Sequence, residues 1–251
     1  MRRSQSMGIR LSALLGAFYV LFLAATAPAS LLGRGFLLPS GITLEQLEGT
    51  VWHGSAGKLS IASSIGPIQI QDVQWAVQWR YLLRGELALK LETAAAAGSL
   101  SVARGFGGVR LLHADLAMPA TDLVQILPPL TAWQPGGEVQ FQSEGFAPQS
   151  NSSGSALVLW NNASFNLSPL QDLGDYRLAL DSRADKTVAH LETQSGKLRL
   201  IGDGEYSRQT GIQFSGNAQA EAPYAKELQA LLATLGKDRG DGVYVFSVHL
   251  Q

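Results

Sequence analysis

The sequence predicts a mainly β protein, in which an antiparallel, twisted sheet with one or two short helices follows a single N-terminal transmembrane helix. Three observations lead to this fold class. An apolar, uncharged segment lies near the N-terminus, apolar and polar residues alternate over most of the remaining chain, and helical spacing is confined to two short segments. Strict alternation is typical of antiparallel strands with one covered face and one solvated face.

The N-terminal apolar segment extends from Leu11 to Leu32 and contains no charged residue. A helix of this length reaches about 30 Å, which is the thickness of the hydrocarbon core of a bilayer. Arg2, Arg3 and Arg10 precede the segment, and the positive-inside rule therefore places the N-terminus in the cytoplasm. The predicted layout is a cytoplasmic stub at 1–10, a single-pass anchor in the inner membrane at 11–32 and a periplasmic β domain at 40–251.

A cleaved signal peptide is the alternative interpretation of the same segment. Ala25-Thr26-Ala27 and Ala27-Pro28-Ala29 both have the small-x-small pattern of a cleavage site. Cleavage there would release a secreted β-sandwich binding module. Apolar residues continue as far as Leu38, which favours an uncleaved anchor, and both interpretations send the domain across the membrane.

The composition narrows the possible functions. The chain has 251 residues and no cysteine, so disulfides, zinc-thiolate sites and cysteine nucleophiles are excluded. The chain has 19 Lys and Arg residues, of which three are the N-terminal arginines. The rest of the chain therefore has 16 basic residues against 20 acidic residues and is net negative. A slightly acidic domain of this kind is not predicted to bind nucleic acid, because phosphate binding needs clustered Lys and Arg.

Five segments of the predicted domain alternate cleanly. The apolar members of each segment share a face as follows: Val73, Trp75, Val77 and Trp79; Leu87, Leu89 and Leu91; Val139 and Phe141; Ile212 and Phe214; and Tyr244, Phe246, Val248 and Leu250. Trp75 and Trp79 are therefore predicted to lie on one face of one strand. The pattern favours core packing for both, with an apolar surface for a lipid or a partner protein as the alternative.

Two short segments have helical spacing. The first is predicted over Asp122 to Leu127, capped by Thr121 and ended by Pro128-Pro129. The second is predicted over Tyr224 to Leu235, with Gly236 as its C-terminal stop. The polar residues 149–154 mark a possible boundary between two β halves.

No arrangement of residues in the sequence predicts catalysis, a cofactor or a metal. The four histidines are scattered, and no nucleophile elbow, phosphate-binding loop or zinc-protease motif occurs. The Asp-Gly clusters at 202–205 and 238–242 lack the ligand spacing of a calcium loop, and we expect both to be hairpin turns. The chain is therefore not predicted to be an enzyme.

Two stretches carry a resemblance to a known family. The residues concerned are Gly49, Thr50, Val51, Trp52 and Gly54 in the first stretch, and Trp75, Trp79, Leu83 and Gly85 in the second. Their order is similar to that of the type II secretion system protein N family (general secretion pathway protein N). The resemblance implies a Gram-negative inner-membrane protein with a periplasmic β domain. It also implies a non-enzymatic, accessory part in exporting folded proteins, with other secretion subunits as partners.

Two further hypotheses concern the surface of the sheet. The layout also resembles that of the AsmA-like β-groove lipid-transfer proteins, in which case Trp75, Trp79, Leu87 and Leu89 would line a lipid path. The C-terminal strand, with Tyr244, Phe246, Val248 and Leu250 on one face, is the candidate interaction edge. Unpaired backbone groups of an edge strand can accept a partner strand, although the same pattern suits an interior strand.

Overall fold

The described residues form one antiparallel sheet of 14 strands. The computed structural model describes residues 2–34, 38, 41–62, 66–105, 108–146, 153–184, 186–207 and 209–250. Side chains are described from residue 14 onward, apart from those of residues 34, 129 and 250. Within this part of the chain, the prediction of a mainly β, antiparallel fold with short helices is confirmed.

The strands follow one another in space almost as they do in sequence. Their bounds are β1 Ile42–Gly49, β2 His53–Ile61, β3 Ile68–Val77, β4 Leu87–Thr93, β5 Ala96–Gly105, β6 Gly108–Pro119, β7 Gly136–Glu144, β8 Gly154–Ser164, β9 Gly174–Arg183, β10 Lys186–Gly196, β11 Leu198–Ser207, β12 Gly211–Ala220, β13 Lys237–Asp238 and β14 Val243–Leu250. Each strand pairs with its successor as far as β12, which pairs with β14, and β13 lies outermost. The sheet is therefore a long meander.

Helical segments precede the sheet and connect some of its strands. They are α1 Arg2–Ala25, a 3-10 turn at Ala29–Arg34, α2 Trp79–Leu82, a 3-10 turn at Ala120–Asp122, α3 Leu123–Ile126, a 3-10 turn at Pro128–Ala132, a 3-10 turn at Ala222–Tyr224 and α4 Gln229–Leu235. Among the described residues, no helix has both the length and the apolar character needed to cross a bilayer.

The register of the strands collects their apolar residues on one face, here called the apolar face. Trp75 lies opposite Leu91, Leu91 opposite Leu100, and Leu100 opposite Ala114. Further along the sheet, Val139 faces Trp160, which faces Tyr176. Because neighbouring strands keep matching alternation, the period of two in the sequence becomes a stripe that crosses the sheet.

Helical connections cover part of the apolar face. Helix α3 contacts β3, and an apolar pocket of about 380 Å³ lies between the connections and the sheet, lined by Leu123, Leu130, Trp133, Pro135, Val139, Val158, Trp160, Phe165 and Leu235. Leu178 and Leu180, nearer the other ends of the strands, are only half-buried. The helical connections therefore cover the apolar face at one end of these strands more than at the other.

In the part of the chain that the structure describes, two clusters of buried side chains lie at opposite ends of the strand order. The C-terminal core consists of Leu173, Leu198, Ala218, Leu228, Leu231, Leu232 and Tyr244. The N-terminal core consists of Ala29, Ala56 and Trp75, with Leu32, Leu44, Leu47, Leu89 and Leu91 packed against them. Segments outside the strands, α4 at one end and residues 29–34 at the other, thus complete the two cores.

Several sequence predictions need correction. The apolar segment at 11–32 is not one helix, because α1 ends at Ala25 and the chain then forms the 3-10 turn at Ala29–Arg34. Pro28 lies between the two elements, and proline disfavours helix at the residue before it. Ala29 is only 1% exposed and belongs to the N-terminal core, so the end of the predicted anchor packs on the sheet.

The predicted helices are present but shorter. Helix α3 is one turn at Leu123–Ile126, and no side chain caps it, so the predicted cap by Thr121 is wrong. Helix α4 begins at Gln229 instead of Tyr224 and ends, as predicted, before Gly236. Sequence spacing located both segments, while tertiary packing set their lengths.

One of the two predicted hairpin turns is wrong. Residues 238–242 do connect β13 to β14, with Asp238 and Asp241 accepting hydrogen bonds from the backbone N–H groups of Gly240 and Val243. Residues 202–205 instead lie inside β11. The ring of Phe214 on β12 covers Gly202 and Gly204, where a Cβ would come within 3 Å of ring atoms. These glycines accommodate an aromatic ring and do not form a turn.

The possible boundary at 149–154 falls mainly on residues 149–152, which lie outside the described residues. The strands on either side of it, β7 and β8, pair with each other from Glu144 and Ser155 onward. The sheet therefore continues across this position.

Candidate interaction site

The first group of family-motif residues forms a tight turn between β1 and β2, here called the motif turn (residues 49–54). Gly49 has a φ of +80°, a left-handed conformation that favours glycine. The backbone N–H of Thr50 donates to the carbonyl of His53 at 2.9 Å. The Thr50 hydroxyl donates to the same carbonyl and accepts from the His53 N–H, each at 3.1 Å. Glycine and threonine at these positions therefore close the turn.

Trp75 of β3 packs against the motif turn. Its side chain is 5% exposed, and its indole Nε1 donates to the carbonyl of Val51 at 3.0 Å. Gly54 lies opposite Trp75 in the β2–β3 register. A Cβ on Gly54 would come within 2.6 Å of Trp75 Cζ2, so the indole occupies the space that the missing side chain leaves. Trp75 thus belongs to the N-terminal core, as predicted.

The other side of the motif turn holds the chain that follows α1. Trp52 Nε1 donates to the carbonyl of Ala24 at 2.6 Å, and the Val51 N–H donates to the carbonyl of Ala27 at 2.9 Å. Pro28 forms an isolated bridge with Thr50. The last carbonyls of a helix lack partners within that helix, and Trp52 supplies one for Ala24. The motif turn therefore connects α1 to the sheet.

Trp79 does not share the environment of Trp75, which corrects the prediction that both lie on one strand. Strand β3 ends at Val77, and Trp79 begins α2. Its ring packs against that of Trp52, with centroids 4.6 Å apart and the ring planes tilted by 30°, yet its side chain remains 58% exposed. The alternation of apolar and polar residues continues past Val77 in the sequence. The chain nevertheless leaves the sheet after Val77, because α2 begins at Trp79.

The last two family-motif residues, Leu83 and Gly85, lie in the connection between β3 and β4. Gly85 has a φ of +73°, and its N–H donates to the carbonyl of Leu82 at 3.0 Å. Gly85 therefore makes the tight return into β4 possible. Leu83 is 92% exposed and contributes nothing to the core.

We expect Gly54→Ala to lower the free energy of unfolding by about 1–3 kcal/mol, the usual cost of overpacking. The new Cβ would lie 2.5 Å from the carbonyl oxygen of Glu48 and 2.6 Å from Trp75. Gly57→Ala is the matched control on the same strand, because the three atoms nearest to its Cβ would all belong to the flexible side chain of Gln46. Urea denaturation of both variants checks this prediction, and equal effects would contradict it.

The candidate interaction edge is the next-to-last strand of the sheet. All of β14 from Val243 to Leu250 pairs with β12, whereas β13 pairs only with Tyr244 and Val245. In the described part of the chain, the outer edge of β14 is therefore paired by a strand only near its start.

The side chains of β14 have different surroundings. Tyr244 is buried in the C-terminal core, and Phe246 packs against that core and stacks on Phe214. Val248 is 44% exposed, and the Leu250 side chain lies outside the described residues. Tyr244 and Phe246 thus attach the strand to the domain, and its second half is the accessible part.

The shifted pKa values lie away from the motif turn and have structural causes. Burial raises the pKa of the Tyr176 hydroxyl well above its usual range, and this hydroxyl donates to the carbonyl of Leu198 at 2.9 Å. Hydrogen bonds from the Asn162 N–H at 2.8 Å and the Ser195 hydroxyl at 2.7 Å lower the pKa of the Asp175 carboxyl. No group of three or more potential metal ligands occurs among the described residues.

Asp175 joins β9 to both of its neighbours, and we expect this contribution to depend on pH. The folded pKa lies below the unfolded value, so the stabilisation is present above about pH 4 and is lost as the pH falls through the folded pKa. The difference in melting temperature between the wild type and Asp175→Asn should therefore shrink in acid. Thermal melts at neutral and acidic pH check it, and a difference that persists unchanged would contradict it.

The packing of the segment after α1 on the N-terminal core was not predicted from the sequence. Residues 27–32 belong to the predicted anchor 11–32, yet Ala29 is buried in the N-terminal core and Leu32 packs against that core. Pro28 was the indication, because proline within an apolar run ends a helix.

Comparisons with known proteins agree with the resemblance. The family model for "Type II secretion system (T2SS), protein N" matches residues 40–247. The chain is 28% identical to type II secretion system protein N of Pectobacterium carotovorum subsp. carotovorum, over 89% of both chains. It is 24% identical to the protein of that name from Vibrio cholerae serotype O1, over 98% of both chains. For the one from Aeromonas hydrophila, the identity is 25% over 93% of this chain and 94% of the other.

No solved structure matches the chain. The comparisons give no support to the alternative of an AsmA-like lipid-transfer protein. The family model covers the motif turn, Trp75, the β3–β4 connection and most of β14. The chain belongs to the type II secretion system protein N family.

Proposed function

We propose that this chain is a non-enzymatic, accessory component of the type II secretion system. It contributes by protein–protein contact to the export of folded proteins from the periplasm across the outer membrane. The observation that carries the mechanism is the outer edge of β14, which β13 pairs only at Tyr244 and Val245 within the described residues. An edge of this kind offers backbone N–H and C=O groups to a strand of another subunit.

The proposed location is the inner membrane, with residues 1–10 in the cytoplasm, α1 in the bilayer and residues 40–251 in the periplasm. Arg2, Arg3 and Arg10 support this orientation. The large apolar side chains described in α1 are at least half exposed, namely Leu14, Leu15, Phe18, Tyr19, Val20, Leu21, Phe22 and Leu23. A lipid environment would cover them.

The contacts after α1 support an uncleaved anchor. Cleavage after Ala27 would separate the carbonyl of Ala24, which accepts from Trp52, from the rest of the chain. Cleavage after Ala29 would also remove Pro28 and the buried Ala29. Both products would lose contacts of the motif turn, whereas the intact chain keeps all of them.

The order of the strands separates the anchor from the candidate edge. Strand β1 contacts the 3-10 turn that follows α1, and β14 lies twelve strands further along the sheet. At about 4.8 Å per strand, this amounts to roughly 60 Å measured across the sheet. The proposed division of labour places attachment to the membrane at β1 to β3 and contact with other subunits at β14.

Crosslinking in cells tests the contact. We would place a photoreactive residue at Val248 on β14 and, as the matched control, at Val188, an exposed valine on the interior strand β10. The proposal expects adducts with other secretion subunits from position 248 and few from position 188. Equal labelling at both positions, or no protein adducts at either, would refute contact through the edge.

A second variant separates contact from folding. Val248→Lys adds a charge to the exposed half of β14, and charged side chains on edge strands discourage pairing with another strand. We expect this variant to keep the wild-type melting temperature and to lose part of its secretion activity. Full secretion with Val248→Lys would contradict the proposed mechanism.

A further inference from the structure

The connection between β3 and β4, here called the β3–β4 connection (residues 78–86), exposes two large apolar side chains. Trp79 is 58% exposed, and Leu83 is 92% exposed. The two residues are four positions apart in a segment with helical geometry, where Leu83 has φ −63° and ψ −18°. Residues at this spacing lie on the same side of a helix, so Trp79 and Leu83 form a single apolar projection.

This projection lies beside the end of α1. Trp79 packs against Trp52 with ring centroids 4.6 Å apart. The same Trp52 donates its indole N–H to the carbonyl of Ala24, in the last turn of α1. Two direct contacts therefore link the exposed tryptophan to the place where α1 ends.

The charge of the β3–β4 connection is positive on its exposed side. Arg80 and Arg84 are both exposed, and the Arg80 guanidinium lies 4.9 Å from the centre of the Tyr81 ring. The acidic residue of the connection, Glu86, pairs with Arg110 at 2.7 Å. Two arginines thus flank the apolar projection, while the carboxylate is engaged by another strand.

We propose that the β3–β4 connection docks onto the anionic phospholipid surface of the bilayer that holds α1. The inference rests on the proposed membrane location of α1. Trp side chains concentrate at the membrane–water interface, because the indole combines an apolar body with a polar N–H group. Basic residues beside them are attracted to anionic headgroups. The exposed Trp79, the exposed Leu83 and the two arginines together match that environment.

The position next to α1 favours lipid over a protein partner as the occupant. A chain anchored by α1 holds Trp52 and Trp79 at the end of the helix, where the interface of the bilayer lies. Leu83 follows Trp79 by one helical turn, so the same docking would place it at this interface. The docking would give the first strands a second attachment to the membrane, in addition to the contacts between the motif turn and the end of α1.

The absence of cysteine from the sequence makes a direct test possible. Leu83→Cys, carrying an environment-sensitive fluorophore, is reconstituted as the full-length chain into vesicles that contain phosphatidylglycerol. Val188→Cys, labelled in the same way on β10, is the matched control. We expect the emission of the label at 83 to shift to the blue and to be quenched by nitroxide-bearing lipids. The label at 188 should remain in water.

Further arms test the role of charge. Arg80→Gln combined with Arg84→Gln should weaken the blue shift at position 83, and vesicles of phosphatidylcholine alone should give a smaller shift than anionic ones. Arg183→Gln, an exposed arginine in the β9–β10 hairpin, is the control and should leave the shift unchanged. Equal shifts in neutral and anionic vesicles would overturn the proposed recognition of anionic lipid.

Extraction with carbonate separates this inference from the proposed location. If the chain resists extraction while the label at 83 remains in water, the anchor stands and the docking is refuted. If carbonate releases the chain, the proposed anchor itself fails. A label that becomes shielded only after other secretion subunits are added would assign the projection to a protein partner and overturn the lipid assignment.

Discussion

Trp75→Ala is expected to lower the free energy of unfolding by about 3–5 kcal/mol, the usual cost of truncating a buried aromatic side chain. Trp75 is 5% exposed, lies against Gly54 and donates to the carbonyl of Val51. Its loss would leave a cavity in the N-terminal core and would deprive that carbonyl of its partner. Denaturant unfolding followed by circular dichroism measures the effect.

Trp79→Ala is the matched control for this prediction. Trp79 is 58% exposed, and its main described contact is the packing of its ring against Trp52. We expect a loss of about 0.5–1.5 kcal/mol, which is the usual contribution of an aromatic pair. Similar losses in both variants would refute the assignment of Trp75 to the core and of Trp79 to the surface.

Leu231→Ala is expected to lower the free energy of unfolding by about 2–5 kcal/mol. Leu231 of α4 is 1% exposed and lies in the C-terminal core with Leu228 and Leu232. Because the spaces around these leucines are closed by Leu198 and Tyr244 of the sheet, the truncation would leave a cavity between α4 and the strands. Thermal and urea denaturation provide the measurement.

The control for the second prediction is the same substitution at an exposed leucine. Leu83→Ala removes the same atoms from a side chain that is 92% exposed, and the free energy of unfolding should change by less than about 0.5 kcal/mol. A loss at Leu231 no larger than that at Leu83 would show that α4 contributes little to the stability of the domain.

Much of the fold could be predicted because it depends on a local property. Alternation at Leu87, Leu89 and Leu91 predicts a strand, and β4 spans Leu87–Thr93. The same holds for Val139 and Phe141 in β7. The side chains of a strand point to opposite faces in turn, so a period of two is visible without knowledge of any partner strand.

Local sequence patterns gave a wrong prediction at two places. Trp79 continues the alternation of Val73, Trp75 and Val77 but belongs to α2. Gly202 and Gly204 resemble turn residues, yet they lie inside β11 under Phe214. In both places a contact with a residue distant in the sequence determines the structure, and no periodicity contains that information.

For the candidate interaction site too, the sequence identified the residues, and the tertiary structure determined their roles. The motif residues were identified from their order, but their roles depend on contacts across 24 to 28 positions, from Trp75 to Val51 and from Trp52 to Ala24. The edge strand was identified from its apolar face. The extent of its free edge depends on β13, a strand of two residues that no sequence pattern predicted.

By itself, the sequence determined the mainly β class, the N-terminal apolar helix and the family, because these depend on composition, period and residue order. Only the tertiary structure decided that Trp75 is buried while Trp79 is exposed, that residues 27–34 pack on the sheet, and that β13 covers only the beginning of β14. The physical reason is that burial and pairing are properties of two segments together. Each segment alone specifies which face is apolar, and its partner determines whether that face is covered.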